Sequence, residues 1–293
     1  MRPIGEQTRA LLKTPLPLCV DGAPLRPDGA TMPCIDPATG KTFGHACLGG
    51  PEAADAAIGA ARRAFDDGRW TQLNPSQRAR ALWRLADLIE RDADSLAELE
   101  TLDCGKPFAA ARNGDAVIAA EAFRYHAGWC TKLNGEQMTP ALGGSRFHCY
   151  TRHEPLGVAA LIVPWNGPLA MGAWKAAPAL AAGCCIIIKT PEQAPLSLLR
   201  LGQLSIEAGF PAGVFNVVNG RGATLGEHLV AHPHIDKVSF TGSTQTGRRI
   251  LAAAAGNLKK LTLELGGKSP AIVFADADLE SAARGLADGM FGN

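Results

Sequence analysis

The chain has 293 residues, of which 33 are Gly and 20 Pro; together these make about 18%, below the ~25–30% that marks low-complexity disorder. Hydrophobic residues at 46% and charged residues at 19% supply enough apolar material for about two domains at ~150 residues each. Lys+Arg 29 against Asp+Glu 28 leaves a net charge of +1, which excludes the electrostatic footprint of a nucleic-acid or anionic-membrane binder and favours small, metabolite-like partners.

In chain order, residues 1–13 carry Arg2, Glu6, Arg9 and Lys13 and lack the apolar core of about 7–15 residues that a secretory signal needs. A cytosolic protein is expected. Residues 15–50 are rich in Pro and Gly, and Asp36-Pro37-Ala38-Thr39-Gly40-Lys41 reads as a tight turn between two short strands. From 51 to 67 Ala recurs around Ile58 and Phe65, with Gly68 as a helix stop. Asn74-Pro75 opens a longer helix in which Leu82, Leu85, Ile89, Leu96 and Leu99 fall near 3.6-residue spacing up to Gly105. A third helix is expected over about 109–132. The first 134 residues are thus expected to be mostly helical and to carry no catalytic group. Residues 135–153, with Gly143-Gly144 between alternating polar and apolar residues, predict a projecting hairpin.

From Pro155 short β-branched runs alternate with Ala/Leu-rich helices, with strands expected at 158–163, 185–189, 214–218, 237–240 and 261–265. These strands are near-continuously apolar, as required where helices cover both faces of a parallel sheet. The fold class read from this pattern is α/β, a Rossmann-like parallel sheet with flanking helices, a helical N-terminal segment and a projecting hairpin. The span 176–188 between Lys175 and Lys189 is shorter than the ~20 residues of a membrane helix, so no membrane span is expected.

Ligands of such sheets bind at the carboxyl ends of the strands. The first strand ends in Pro164-Trp165-Asn166-Gly167-Pro168-Leu169, where a held amide suits an oxyanion, although Asn166 reads equally as a helix cap. The second ends in Lys189-Thr190-Pro191-Glu192, which alone is a rim salt bridge. The fourth runs into Phe240-Thr241-Gly242-Ser243-Thr244-Gln245-Thr246-Gly247. There small residues open a helix whose free N–H groups suit a phosphate, without the glycine pattern of a dinucleotide fingerprint or P-loop. The last, Leu261-Thr262-Leu263-Glu264-Leu265-Gly266-Gly267, ends in a carboxylate that serves as a general base if partly desolvated, or as part of an exposed strand face if not.

The four strand ends together, PWNGPL (164–169), Lys189 with Glu192, FTGSTQTG (240–247) and LELGGKSP (263–270), resemble the NAD(P)-dependent aldehyde dehydrogenase superfamily over essentially the whole chain. The resemblance implies oxidation of an aldehyde to a carboxylic acid with NAD as cofactor. It implies Asn166 as oxyanion donor and Glu264 as general base. Lys189 and Glu192 would hold the adenosine ribose and Gly242 and Ser243 approach the pyrophosphate, with Trp165 and Leu265 also on the cofactor. Gly167, Met171 and Trp174 are implied in the aldehyde tunnel. Gly167 stands where relatives commonly have an aromatic ring, and the stretch 150–183 is similar to phenylacetaldehyde-type dehydrogenases, so a bulky apolar aldehyde is expected.

Family chemistry is covalent: a thiolate attacks the aldehyde, hydride passes to nicotinamide, and Glu-activated water releases the acid. The nucleophile lies, by the resemblance, a few residues after a segment like Phe291-Gly292-Asn293. The catalytic domain is therefore expected to be truncated, the 293-residue chain inactive by itself, and the full-length protein a homo-oligomer. The resemblance divides the chain into 1–134, the helical part of the cofactor-binding domain; 135–153, the hairpin; 154–266, the Rossmann-like domain; and 267–293, the start of the catalytic domain. Of the eight cysteines, Cys184 and Cys185 enter a buried strand and are expected to be packed, with thiol pKa values raised. His232-Pro233-His234 lacks a second pair of ligands nearby, so no metal is expected. A short-chain dehydrogenase would need Tyr-x-x-x-Lys, and neither Tyr125 nor Tyr150 has Lys four residues on. A non-catalytic nucleotide-binding or interaction module built on the same fold is the remaining alternative.

Overall fold

The computed structural model describes residues 4–141 and 147–291. A short helix α1 (Glu6–Leu11) leads into β1 (Leu18–Val20), β2 (Ala23–Leu25), β3 (Thr31–Ile35) and β4 (Thr42–Cys47). β3 and β4 pair antiparallel around the 36–41 turn, where Asp36 accepts from the backbone N–H groups of Thr39 and Gly40. Helices α2 (Pro51–Asp66), α3 (Pro75–Arg91) and α4 (Ala93–Cys104) follow. Asn74 starts α3 with a capping box, its Oδ1 accepting from Ser76 N at 2.9 Å while Gln77 Oε1 accepts from Asn74 N at 3.1 Å. Sequence periodicity predicts one helix over 75–105; the chain breaks it at Asp92, whose buried carboxylate turns out of line to meet Arg91 and, at 2.9 Å, Arg200 Nε. A single turn α5 (Phe108–Ala110) passes through a π-helical segment, Ala111–Asp115, into α6 (Ala116–Trp129). β5 (Gln137–Met138) and β6 (Cys149–Tyr150) form the expected antiparallel pair, and its Gly143-Gly144 tip lies outside the described residues.

Then come β7 (Val158–Ile162), α7 (Pro168–Ala181), β8 (Cys185–Lys189), α8 (Leu196–Glu207), β9 (Phe215–Val218), α9 (Glu227–Ala231), β10 (Lys237–Gly242), α10 (Thr244–Ala253), β11 (Lys260–Leu265) and α11 (Leu279–Phe291). All five predicted strands are present within two residues of their expected ends. The sheet runs β11-β10-β7-β8-β9-β1-β2, parallel from β11 to β9, with β1 and β2 added antiparallel. One hydrophobic core runs from Leu16 to Ile250. Trp70 sits inside it, donating Nε1–H to Leu180 O at 3.0 Å and stacked 5.3 Å from Phe210. Gly157, at φ 130°, precedes β7 because a Cβ there would fall 1.9 Å from the Asp236 carboxylate that accepts from Val158 N at 2.7 Å. No helix among the described residues is long and apolar enough to cross a membrane.

Candidate active site

Chain order doubles back at β7: β8 and β9 extend the sheet to one side, β10 and β11 to the other. The carboxyl ends of strands on either side of such a switch leave a crevice where ligands bind. A cleft of about 1940 Å3 opens there, well above the ~300–1,000 Å3 of an ordinary small-molecule pocket.

Of the sequence-predicted residues, Trp165, Asn166, Met171 and Trp174 line the cleft from β7 and α7, Lys189 and Glu192 from β8, Gly242 and Ser243 from β10, and Glu264 and Leu265 from β11. Asn166 is exposed, and no hydrogen-bond partner for its amide is found among the described residues. Lys189 is 5% exposed, and burial pushes its ammonium below the usual lysine value while the Glu192 charge opposes that. Its ammonium too has no hydrogen-bond partner among the described residues. Glu192 Oε1 accepts from Gly222 N at 2.5 Å, which fixes the carboxylate at the rim. Gly242 is required by a close approach: a Cβ there would meet the Phe240 ring at 2.5 Å. Ser243 caps α10, its Oγ accepting from Thr246 N at 3.2 Å, and leaves the first-turn N–H groups facing the cleft mouth. Buried Thr241 Oγ1, on the same strand end, is unpaired.

Two expectations meet a different geometry. Glu264 and Leu265 are exposed, so the partial desolvation expected of the carboxylate is missing: β11 is an edge strand with β10 as its single neighbour. Gly167, expected to line the tunnel, is buried and is not among the cleft-lining residues. A side chain there would run the other way, its Cβ 3.6 Å from Asp115 Oδ1 and 3.7 Å from Lys106 Nζ.

The first 134 residues, expected to carry no catalytic group, hold the backbone on either side of Asn166. Lys106 and Asp115 form a buried ion pair at 2.7 Å, with Asp115 delivered by the π-helical turn. Glu100 Oε1 accepts from Leu169 N at 3.1 Å and from Ser197 Oγ, so it caps the first turn of α7. Complete burial pushes its pKa up to about 7, and its Oε2 is unpaired. Cys104 donates its S–H to Trp165 O at 3.1 Å. Lys175 also faces the cleft, donating to Ser239 Oγ at 2.9 Å; burial lowers its pKa to about 8 against the opposing charge of Glu264. A sequence signal for Lys175 exists: Met171, Trp174, Lys175 and Pro178 fall at i, i+3, i+4 and i+7, one helix face. Glu100, Lys106 and Asp115 have no comparable signal, because their neighbours are distant in sequence. Cys184 and Cys185 are buried as expected, with burial raising both thiols, Cys185 to about 12.

A doubly wound sheet with this cleft defines a dinucleotide-binding type of α/β protein. The family model for the aldehyde dehydrogenase family matches residues 25–293, and the chain belongs to that family. It is 50% identical over 255 residues to aldehyde dehydrogenase family 2 member B4, mitochondrial, of Arabidopsis thaliana, covering 87% of this chain and 47% of that protein. Among solved structures, the NAD+ complex of an aldehyde dehydrogenase from Bacillus cereus superposes with a TM-score of 0.94 at 43% identity, covering 99% of this chain and 58% of that one. An indole-3-acetaldehyde dehydrogenase of P. syringae, in complex with NAD+ and IAA, gives 0.91 at 39% identity, covering 97% and 58%. The chain spans about half the length of the curated relatives it matches.

Proposed function

We propose that this chain is the nucleotide-binding part of an NAD-dependent aldehyde dehydrogenase, which converts an aldehyde, water and NAD+ to a carboxylic acid, NADH and a proton. The observation that carries this reading is the convergence of Asn166, Lys189, Glu192, Ser243 and Glu264 on one cleft at the switch point of the sheet. The residues present fit the cofactor: Lys189, 5% exposed, lines the cleft, and the buried Thr241 hydroxyl lacks a polar partner. NAD, when bound, supplies the hydride acceptor. Lys189 donates to the adenosine ribose and Glu192 accepts from its hydroxyls. The Ser243 turn and the first N–H groups of α10 take the pyrophosphate. A 2′-phosphate beside Glu192 sets like charges together, so NAD is preferred over NADP.

Asn166 donates to the aldehyde oxygen as negative charge develops on it, and Glu264, exposed in this part of the protein, takes a proton from the water that releases the acid once the rest of the full-length protein covers the β11 wall. Lys175, its pKa lowered to about 8, is the ammonium that feels the Glu264 charge. We place the attacking thiol outside these 293 residues, because the cysteines around the cleft are committed elsewhere. Cys184 and Cys185 are buried, and Cys104 is bonded to Trp165 O with its thiol pushed well up by burial. The 293-residue chain alone therefore does not oxidise aldehydes, and the full-length protein acts as a homo-oligomer. Met171 and Trp174 on the cleft wall suit a bulky apolar aldehyde of the phenylacetaldehyde type.

The test is NADH formation by the full-length protein. Turnover is expected, with a higher kcat/KM for phenylacetaldehyde than for acetaldehyde, and Asn166→Ala is expected to lower kcat about 100- to 1,000-fold, the usual cost of an oxyanion donor. NAD binding without turnover would favour the non-catalytic module. Turnover unchanged in Asn166→Ala would overturn the assigned role, and a preference for acetaldehyde would overturn the substrate class.

A further inference from the structure

On the outer side of the cleft wall, α9 carries His228, and His232 follows it at i+4. Both imidazoles turn toward Asp55 on α2. His228 Nε2 lies 2.5 Å from Asp55 Oδ1, and His232 Nε2 lies 3.8 Å from the same oxygen. One ligand atom from each of the three side chains falls within 4.8 Å of the others. The side chains of His228, His232 and Asp55 are 33%, 20% and 54% exposed, so the cluster is held by the fold yet open to solvent.

We propose that Asp55, His228 and His232 form a binding site for a divalent transition-metal ion of the zinc, nickel or copper class, separate from the dinucleotide cleft. Two imidazoles and one carboxylate are the donor set these ions favour, whereas Mg2+ and Ca2+ require mostly oxygen ligands. Histidines four residues apart are a recurrent zinc-binding spacing, here with His228 in α9 and His232 just past its end. Bonds of about 2.0–2.1 Å in a tetrahedral sphere place donors roughly 3.3 Å apart, so the cluster closes with a movement on the order of 1 Å in partly exposed side chains.

Two contacts oppose the ion. The hydrogen bond between His228 Nε2 and Asp55 Oδ1, at 2.5 Å, must open to admit it. His234 N donates to His232 Nδ1 at 3.1 Å; a neutral ring ligating through Nε2 carries its proton on Nδ1 and gives that bond up, at about 1 kcal/mol. Three protein ligands leave an outward position for water. The ion would join α2 to α9, whose Val230 and Ala231 line the cleft from the other side. Because the three donors come together in the folded chain alone, binding raises its stability by linkage. The sequence hid the site because Asp55 is 173 residues from His228.

The experiment titrates the full chain, stripped of metal by a chelator, with Zn2+, Ni2+ and Mg2+, following the thermal midpoint and competition against a chromophoric chelator. One equivalent of Zn2+ or Ni2+ is expected to bind and raise the midpoint, and Mg2+ to leave it unchanged. His228→Ala and, on the other helix, Asp55→Asn are each expected to weaken binding at least about tenfold, as loss of a ligand or its support does, with circular dichroism unchanged. Bound Co2+ is expected to show ligand-field bands without thiolate charge transfer. Absence of a Zn2+ or Ni2+ shift, equal affinity in either folded variant, or a thiolate band assigning the metal to cysteine would each overturn the proposal.

Discussion

On the β8 side of the cleft, Lys189 and Thr190 are 5% and 0% exposed and stand at the end of a strand paired on both edges. On the β11 side, Leu265 is 42% exposed, and beyond it Ile272, Phe274 and Leu279 are 72%, 73% and 72% exposed. Both walls carry the family's motifs, yet one is built from groups already desolvated and aimed, while the other presents its carboxylate to water. The difference follows from layering. β8 has helices over both faces, while β11 is a sheet edge. Its side chains meet β10 and the first turns of α10, where Gly247 leaves room for Leu265: a Cβ there would lie 2.6 Å from Leu265 Cδ2. A motif fixes which group stands at a strand end, but the surrounding layers decide whether that group is in water.

The largest loss is expected from emptying the buried core. Trp70→Ala removes a fully buried ring and its hydrogen bond to Leu180 O, and is expected to cost about 3–5 kcal/mol, read by urea unfolding. A loss under about 1 kcal/mol would mean the core behind β8 is looser than its burial implies.

A smaller effect reports on the boundary between the two walls. The folded Lys175 titrates near 8, lowered by burial, while the unfolded side chain keeps a value of 10.5. Between those pH values the unfolded chain binds the extra proton, so stability rises as pH increases from about 8 to about 10.5, by on the order of 1–3 kcal/mol. Lys175→Met is expected to flatten that rise. A wild-type profile that is already flat over this window would contradict the burial of the ammonium.

The least effect is expected on the β11 side. Phe274→Ser removes a ring that is 73% exposed and is expected to change stability by less than about 0.5 kcal/mol, while reducing self-association through the apolar surface it shares with Ile272 and Leu279. A loss of several kcal/mol would show that this segment is packed.

The same contrast explains what the sequence made legible. Strands β7 to β10 were readable because each is a short, mostly apolar run between helices, and β11 because Leu261, Leu263 and Leu265 alternate with Thr262 and Glu264; the cleft residues were readable because they sit at strand ends. β1 and β2 were not: three-residue strands, one containing Pro24, give no period, and β1 joins the sheet by pairing Cys19 with Val217. The break at Asp92 was hidden for a related reason, since it depends on Arg200 from a later helix. Gly167 was placed on the correct loop but its open face was not visible, because Lys106 and Asp115 reach it only through tertiary packing. Likewise the desolvation of Glu264 cannot be read from alternation alone, because alternation does not say whether anything covers the strand.

The claim that the β8 wall is a ready-made nucleotide site is tested most directly by calorimetric titration of the chain with NAD and NADP. NAD is expected to bind at least about tenfold tighter than NADP. Glu192→Gln should narrow that preference, and Lys189→Met should weaken NAD by about tenfold or more, the worth of a charged hydrogen bond. Tighter binding of NADP than NAD, or NAD affinity unchanged in Lys189→Met, would contradict it.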